Sequence, residues 1–312
     1  MQISDKRLVG RRSSLGMRMK KYWQIWLLIV PSLLILAYFK YYPMYGVQIA
    51  FKDYKILKGI NGSEWVGLEH FKTLFGNKTF MQAFWNTLIL NAYSLIFAFP
   101  TSVIFGVMLN ECRNLFFKRT IQTVTYLPHF LSWVIVYALF NNMLALNTGI
   151  VNKIFDFLGL EQVIFLSSKA HFRSILVISD IWKNTGWNTI VILAGITAID
   201  PTLYEAAVID GANRVRMVWH VTLPGIRSTI VVLFILKLGS IMQNDVTQIL
   251  MFYSPSVYEV GDVIGTYVYR MGVTKMKFSL TSAAGFVQSV IGMVLILLTN
   301  KIAHMMGERG LW

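Results

Sequence analysis

The sequence predicts an all-α, polytopic membrane protein with six transmembrane helices, and two observations carry that prediction. Of its 312 residues 55% are hydrophobic and only 14% charged, whereas a soluble domain usually carries about 25% charged residues. That is too little charge to cover a water-facing surface. The apolar residues also fall into six blocks, each long enough to cross a bilayer core at about 20 residues and 1.5 Å rise per residue. Disorder, a collagen-like repeat and a disulfide-stapled scaffold are excluded by the same composition, and the single Cys112 cannot close an internal disulfide.

Taken in order, the predicted spans run over residues 23 to 44, 85 to 109, 123 to 146, 173 to 198, 229 to 250 and 279 to 303. Residues 1–22 form a basic tail containing Lys6, Arg7, Arg11, Arg12, Arg18, Lys20 and Lys21. No small-residue cleavage site follows the first apolar run, which therefore reads as an uncleaved signal anchor with a cytoplasmic N-terminus. With that start, the segments assigned to the cytoplasm carry 15 Lys/Arg on short stretches, and the opposite loops carry 11 diluted over longer ones. The bias places both termini, including a short tail at 305–312, inside the cell. Most of the net charge of +14 is then a topology signal, reinforced by anionic lipid, and nucleic acid is not an expected partner.

Residues 23–304 form the six-helix domain, interrupted at about 200–226 by a cytoplasmic loop that reads as two capped helices. Asp200 can cap the open amides, Pro201 fits the first helical position, and Gly211 can adopt the left-handed terminating conformation. Asn213 can cap a second helix whose Val215, Val218, Trp219 and Thr222 share one face and which is expected to end before Pro224. No phosphate-binding glycine loop, dinucleotide fingerprint, zinc-protease motif or cysteine pair is present. A six-helix bundle could still be a channel, a secondary transporter, a membrane enzyme or a subunit of a larger pump, but any ATP must be handled by another chain, and no cofactor is expected in this one.

Glu205-Ala206-Ala207, Asp210-Gly211-Ala212 and Leu223-Pro224, at these spacings, resemble the Glu-Ala-Ala loop of ABC importer permeases, the membrane subunits of binding-protein-dependent uptake systems. Gly67-Leu68-Glu69-His70-Phe71, Asn86-Thr87-Leu88, Tyr126-Leu127-Pro128-His129-Phe130, the stretch Ile181 to Trp187 and the ending Gly310-Leu311-Trp312 are similar to the carbohydrate branch. Within it they look most like the permeases for polysaccharide fragments of the rhamnogalacturonan type. The resemblance implies a type I permease fold in the bacterial cytoplasmic membrane. It also implies a second homologous permease, two ATPase subunits that hold ATP-Mg, an external solute-binding protein and an oligosaccharide substrate, with transport by alternating access. The first loop helix would be the coupling helix: Glu205 would meet basic groups of the ATPase, Ala206 and Ala207 would allow close approach, and Gly211 would make the turn. Asp210 would cap or pair there, with Leu223-Pro224 at the loop exit. A proline that many members carry a few residues later is absent, Ser228 following Arg227.

Polar residues within the predicted spans need partners or water. Asp180 and Lys183 share a helix face and could pair; alternatively Lys183, Asn184 and Asn188 line the sugar path, with Trp187 as a stacking face. Lys237 and the Gln243-Asn244-Asp245 cluster pose the same choice, with Lys237 expected near the cytoplasmic half and free to snorkel. Asn86, Asn91 and His129 read either as path residues or as interhelical glue, His129 by satisfying carbonyls freed at Pro128. Ser282, Gly285, Ser289 and Gly292 form a small-residue stripe suited to helix packing. An ion-coupled secondary transporter using Asp180 is the alternative class, and it leaves the Glu205 to Pro224 pattern without a role.

Overall fold

Polar N-caps and prolines set where the helices of this chain begin, bend and stop. A computed structural model describes residues 22–305, 307 and 310. The basic residues Lys6 to Lys21, the Leu311-Trp312 ending and most of the 305–312 tail lie outside the described residues.

In chain order the main helices are α1 (Trp23–Phe51), α2 (Glu69–Gly76), α3 (Lys78–Glu111), α4 (Leu115–Phe130), α5 (Trp133–Leu144), α6 (Ile150–Phe157) and α7 (Lys169–Thr197). They continue with α8 (Pro201–Ile209), α9 (Arg214–Gly225), α10 (Arg227–Gly239), α11 (Val246–Phe252), α12 (Ile264–Tyr269) and α13 (Phe278–Met305). A two-residue antiparallel pair, β1 (Lys52–Asp53) with β2 (Glu64–Trp65), closes the turn after α1. Three helices, α1, α3 and α13, are each long and apolar enough to cross a membrane. Counting each bent pair as one span, α4 with α5, α7 with α8 and α9 with α10, raises the number to six.

Two expected spans are broken. The block at 123 to 146 divides into α4 and α5, which meet at 105°. Pro128 offers no amide hydrogen, Leu131 turns extended, and the Ser132 hydroxyl accepts from the Ile135 amide at 3.4 Å to start a new helix. The block at 229 to 250 stops as a helix at Gly239 and restarts at Val246, where the Asp245 carboxylate caps the Thr247 and Gln248 amides at 3.0 and 3.2 Å. In both places polar side chains take up backbone groups that an apolar surrounding would leave unpaired.

Prolines act differently at three other places. Wide π turns at Ala37–Tyr41, Ser94–Ala98 and Val218–Thr222 stand just before Pro43, Pro100 and Pro224. A proline clashes with the carbonyl four residues back and donates nothing to it, and a wider turn relieves that clash while the helix carries on. The α9 helix therefore continues through Pro224 to Gly225 instead of ending before it. The wide turn also rotates its faces, so Val215 and Trp219 are exposed while Thr222 and Ile226 are buried.

Three apolar cores organise the bundle. One joins α3, α5, α7 and α11 through Leu90, Trp133, Val136, Phe172, Ile249 and Phe252. A second gathers Phe80, Ala83, Met242, Tyr267 and Ala284 from α3, α12, α13 and the α10–α11 break. The third, Val107, Ile192, Ile196 and Ile226, lies at the loop end. Of the small-residue stripe of α13 only Gly292 is among the buried residues of that helix, which also include Thr281, Ala283, Ala284 and Val287. A Cβ on Gly292 would lie 3.0 Å from the Gly239 carbonyl of α10, whereas one on Gly285 would meet nothing within 4 Å. Away from the loop, the turn at 258–263 is clasped to α3 and α7. Asn86 donates to the Glu259 and Asp262 carbonyls at 2.9 and 3.0 Å, and Arg173 donates to Asn86 at 2.7 Å. Asn86 is thus glue. Lys169 pairs with Glu259 and holds that carboxyl below its usual range.

Candidate functional site

Two adjoining cavities lie between the first and third cores. The first, about 400 Å³, is lined by Ser102, Asp180, Asn184, Trp187, Asn188 and Lys237 among others, and the second, about 170 Å³, by Asn91, Ser94, Lys237, Gln243, Asn244 and Asp245 among others. Asp180 and Lys237 line both, so these two charges stand where the cavities join. The larger volume is within the usual range of a small-ligand site.

A relay of side chains runs through Asp180, Asn184 and Trp187 of the first cavity's lining. Asp180 Oδ1 accepts from Asn184 Nδ2 at 2.7 Å, and its Oδ2 accepts from Ser94 Oγ at 3.4 Å. Asn184 Oδ1 in turn meets His129 Nδ1 at 3.0 Å, so with the amide oriented this way the imidazole donates. The His129 ring stacks on Trp187, with centroids 4.5 Å apart and planes 5° apart. Trp187 keeps 44% of its surface exposed. An indole held flat from behind with an open face is suited to an apolar ring face of a ligand.

Lys183 lies elsewhere. It is 7% exposed, lines neither cavity, and donates to the carbonyls of His129 at 2.6 Å, Leu131 at 2.7 Å and Pro128 at 3.4 Å. These are carbonyls of the α4–α5 break, so the lysine and not His129 satisfies them, and the expected pairing of Lys183 with Asp180 gives way to that use. Lys183 also sits over the Trp133 ring at 5.5 Å, and the Trp133 indole donates to Asp245. Asn91 and Asn244 belong to the second cavity. Asn91 Nδ2 donates to the Thr87 carbonyl at 2.9 Å, while Asn244 Oδ1 is buried and has no hydrogen-bond partner among the described residues.

Sequence reasoning missed Ser94, Trp133 and Gln248. Gln248 donates to the Leu176 carbonyl at 2.8 Å and to Ser179 at 3.0 Å. The Asp-x-x-Gln spacing of Asp245 and Gln248 resembles a helix-start signature and would have exposed the break in the fifth block. A lone serine such as Ser94 carries no comparable signal.

The loop is the other candidate site. Asp200 Oδ1 accepts from the Thr202 amide at 3.0 Å, which holds that carboxyl below its usual value. Gly211 has φ +73° and Asn213 accepts from the Arg216 amide at 2.9 Å. Glu205 and Ala206 are exposed, Ala207 is half-buried, and Asp210 is exposed beside the turn. Leu223 packs into the third core and Pro224 is exposed. The Tyr204 hydroxyl meets Thr222 Oγ1 at 3.0 Å, joining the two arms, and Arg214 pairs with Glu111 at the end of α3 at 3.2 Å. The described residues contain no group of three or more His, Cys, Asp or Glu able to hold a metal ion.

A helical bundle with polar cavities at its middle and a capped loop standing clear of one end is the arrangement of a membrane transport protein. The chain belongs to a defined family of this class: residues 65–307 match the binding-protein-dependent transport system inner membrane component family. It is 41% identical over 302 residues to the polygalacturonan/rhamnogalacturonan transport system permease protein YteP of Bacillus subtilis (strain 168), covering 97% of this chain and 94% of that one. It is 44% identical over 288 residues to protein LplB of the same organism, covering 92% and 91%. Among solved structures, a chain of a bacterial alginate ABC transporter in complex with an alginate pentasaccharide-bound periplasmic protein matches with a TM-score of 0.87 and 38% identity, over 95% of this chain and 99% of that one. The chain is therefore a transporter component of the ABC importer permease type. The ion-coupled alternative finds no support in these relationships.

Proposed function

We propose that this chain is one permease subunit of an ATP-driven importer that takes up oligosaccharides delivered by an external solute-binding protein. It acts beside a second, homologous permease in the bacterial cytoplasmic membrane, with both termini inside. Two separate ATPase subunits bind ATP-Mg and seat the α8 helix through Glu205, Ala206 and Ala207. Closure and reopening of the ATPase pair then rock the spans between inward-open and outward-open states, a coupling free energy carried between two distant sites. The observation that carries the reading is the construction of the loop. The exposed α8 is stiffened by the Asp200 cap and the Gly211 turn and tied through Tyr204 and Thr222 to an arm anchored in the third core. A push on α8 is thereby transmitted to α9, α10 and, through Arg214 and Glu111, α3.

The sugar reading is supported by the named substrates of the relatives and by the exposed Trp187 face beside polar side chains. Glu205→Ala tests the assigned coupling. In membranes containing the whole transporter, the variant is expected to bind the ATPase about tenfold more weakly or worse and to lose uptake in proportion, with normal amounts of folded permease. Wild-type uptake and ATPase binding in that variant would remove the role given to Glu205.

A further inference from the structure

At the end of the bundle away from the loop, a further cavity of about 300 Å³ lies between the last turns of α5, the end of α11 and the stretch that leads into α7. It is lined by Tyr137, Asn141, Ser167, Phe252, Tyr253 and Ser254 among others. Its walls are tied in place by the fold. Nδ2 of the fully buried Asn152 reaches the carbonyls of Leu144 at 3.3 Å, Ala145 at 3.1 Å and Val163 at 3.0 Å, and its Oδ1 accepts from the Val163 amide at 2.9 Å, which fixes the chain after α5 against the chain before α7. On the α11 side the Tyr253 ring stacks on Tyr258 with centroids 4.3 Å apart, and its hydroxyl accepts from Arg270 at 2.6 Å. Phe252 is held by edge contacts with Trp133, Tyr137 and Phe140. The Tyr137 hydroxyl, the Asn141 amide and the Ser167 hydroxyl hold no hydrogen bond to another described residue. No charged side chain is in the lining.

We propose that this cavity is a sugar site separate from the two cavities in the middle of the bundle, and that it takes one neutral ring of the incoming chain. The inference rests on the oligosaccharide-import reading, under which this end of the bundle is external. A pyranose combines an apolar ring face with a rim of hydroxyls. The face lies against the Tyr137 and Tyr253 rings, and the hydroxyls pair with the free groups of Tyr137, Asn141 and Ser167. A lipid chain would leave those three groups without partners. A uronate ring fits worse, because its carboxylate would meet no available cation. Arg270, whose guanidinium touches the Tyr253 hydroxyl, is already paired with both oxygens of Asp262 at 3.2 and 2.6 Å. The volume is at the lower end of the range for small-ligand sites, the size for one ring and not for several. Helix α11 runs from Asp245, in the wall of the second cavity, to Phe252 here, about 10 Å in seven residues. The site thus stands one short helix outward from the middle of the bundle.

The test reads the cavity wall directly. Ser254→Cys is combined with Cys112→Ser, assembled with the other subunits in lipid nanodiscs without the binding protein, and the rate at which a small neutral thiol reagent labels this chain is followed by mass. Methyl α-galactoside is expected to slow that labelling severalfold, and methyl α-galacturonoside, which differs only in its carboxylate, to slow it much less. Asn142→Cys, exposed on α5 outside the lining, should be labelled equally fast with or without either sugar. Adding Tyr137→Phe and Asn141→Ala should raise the galactoside concentration for half-protection by about tenfold, the weight of two hydrogen bonds, with unchanged subunit stoichiometry. Absence of protection by the galactoside, equal protection by the galacturonoside, or protection indifferent to the two added substitutions would overturn the inference. So would labelling that ignores sugar and speeds up when lipid is stripped away, which would give the cavity to a lipid chain. The labelling uses no ATP, so each of these results leaves the import reading standing, whereas wild-type vesicles that accumulated no sugar with ATP would remove that reading itself.

Discussion

Lys183 donates to three carbonyls where α4 gives way to α5, and this shows how a membrane bundle uses a buried cation. A lysine within a predicted span is legible as something that must be satisfied, but its partner is not, because the break at Leu131 that frees those carbonyls depends on tertiary packing. Asp200 is the opposite case: an acid followed by proline at a helix start announces its own role. Its Oδ1 accepts from the Thr202 amide at 3.0 Å and its carboxyl is held below the usual 3.8. A folded value below the unfolded one means that the cap's contribution is complete above about pH 3.8 and is lost as pH falls through the lower folded value. Asp200→Ala should therefore speed hydrogen exchange at the first amides of α8 at neutral pH and leave that exchange insensitive to the carboxyl's titration. Exchange that is unchanged at neutral pH would show that the cap does not hold the helix start. The start and turn of the loop were the most legible part of the sequence, since its caps, Pro201 and Gly211 all act locally. Asn184, Trp187 and Asn188 were also named from sequence as path residues, and the structure brings them to one cavity. That Lys237 and Asp180 line the same two cavities was not readable, because they lie on different helices.

Helices α3, α7 and α13 follow the apolar blocks closely, because a long apolar run specifies a helix by itself: Asn77 caps the start of α3, and α7 begins without a side-chain cap. The third and fifth blocks mislead for a shared reason: hydropathy averages over a window and does not register one extended residue such as Leu131 or a short polar break such as Gln243 to Asp245. Prolines mislead in the other direction at Pro224, where a wide turn lets α9 continue. The crossing of α7 over α4 depends on a contact that sequence does not reveal. A Cβ placed on Gly186 would fall against the Thr125 carbonyl, well inside contact distance, and backbone yields less readily than the far end of a side chain. Gly186→Val is expected to destabilise the permease by about 1–3 kcal/mol through overpacking, read as a lower midpoint of thermal unfolding in detergent. An unchanged midpoint would mean that α4 is free to move away from α7, contrary to the packing described. The same contact positions the relay, since His129 on α4 must reach Asn184 and Trp187 on α7.

The whole chain joins an open, polar middle to a stiff loop at one end. Lys and Arg are concentrated on the segments that the sequence assigns to the cytoplasm, and few charges fall in the spans. Those few span charges proved to be of two kinds. Lys183 and Asp245 hold the helix breaks together, as the neutral Asn86 holds the turn at 258–263, whereas Asp180 and Lys237 line both cavities. Transport by this account needs energy from outside the chain, delivered through α8, and the decisive measurement is sugar accumulation in sealed vesicles carrying both permeases, the ATPase subunits and the binding protein. The account predicts accumulation that requires ATP and the binding protein and persists when the proton gradient is collapsed. Accumulation that proceeds without ATP and follows the proton gradient would contradict it.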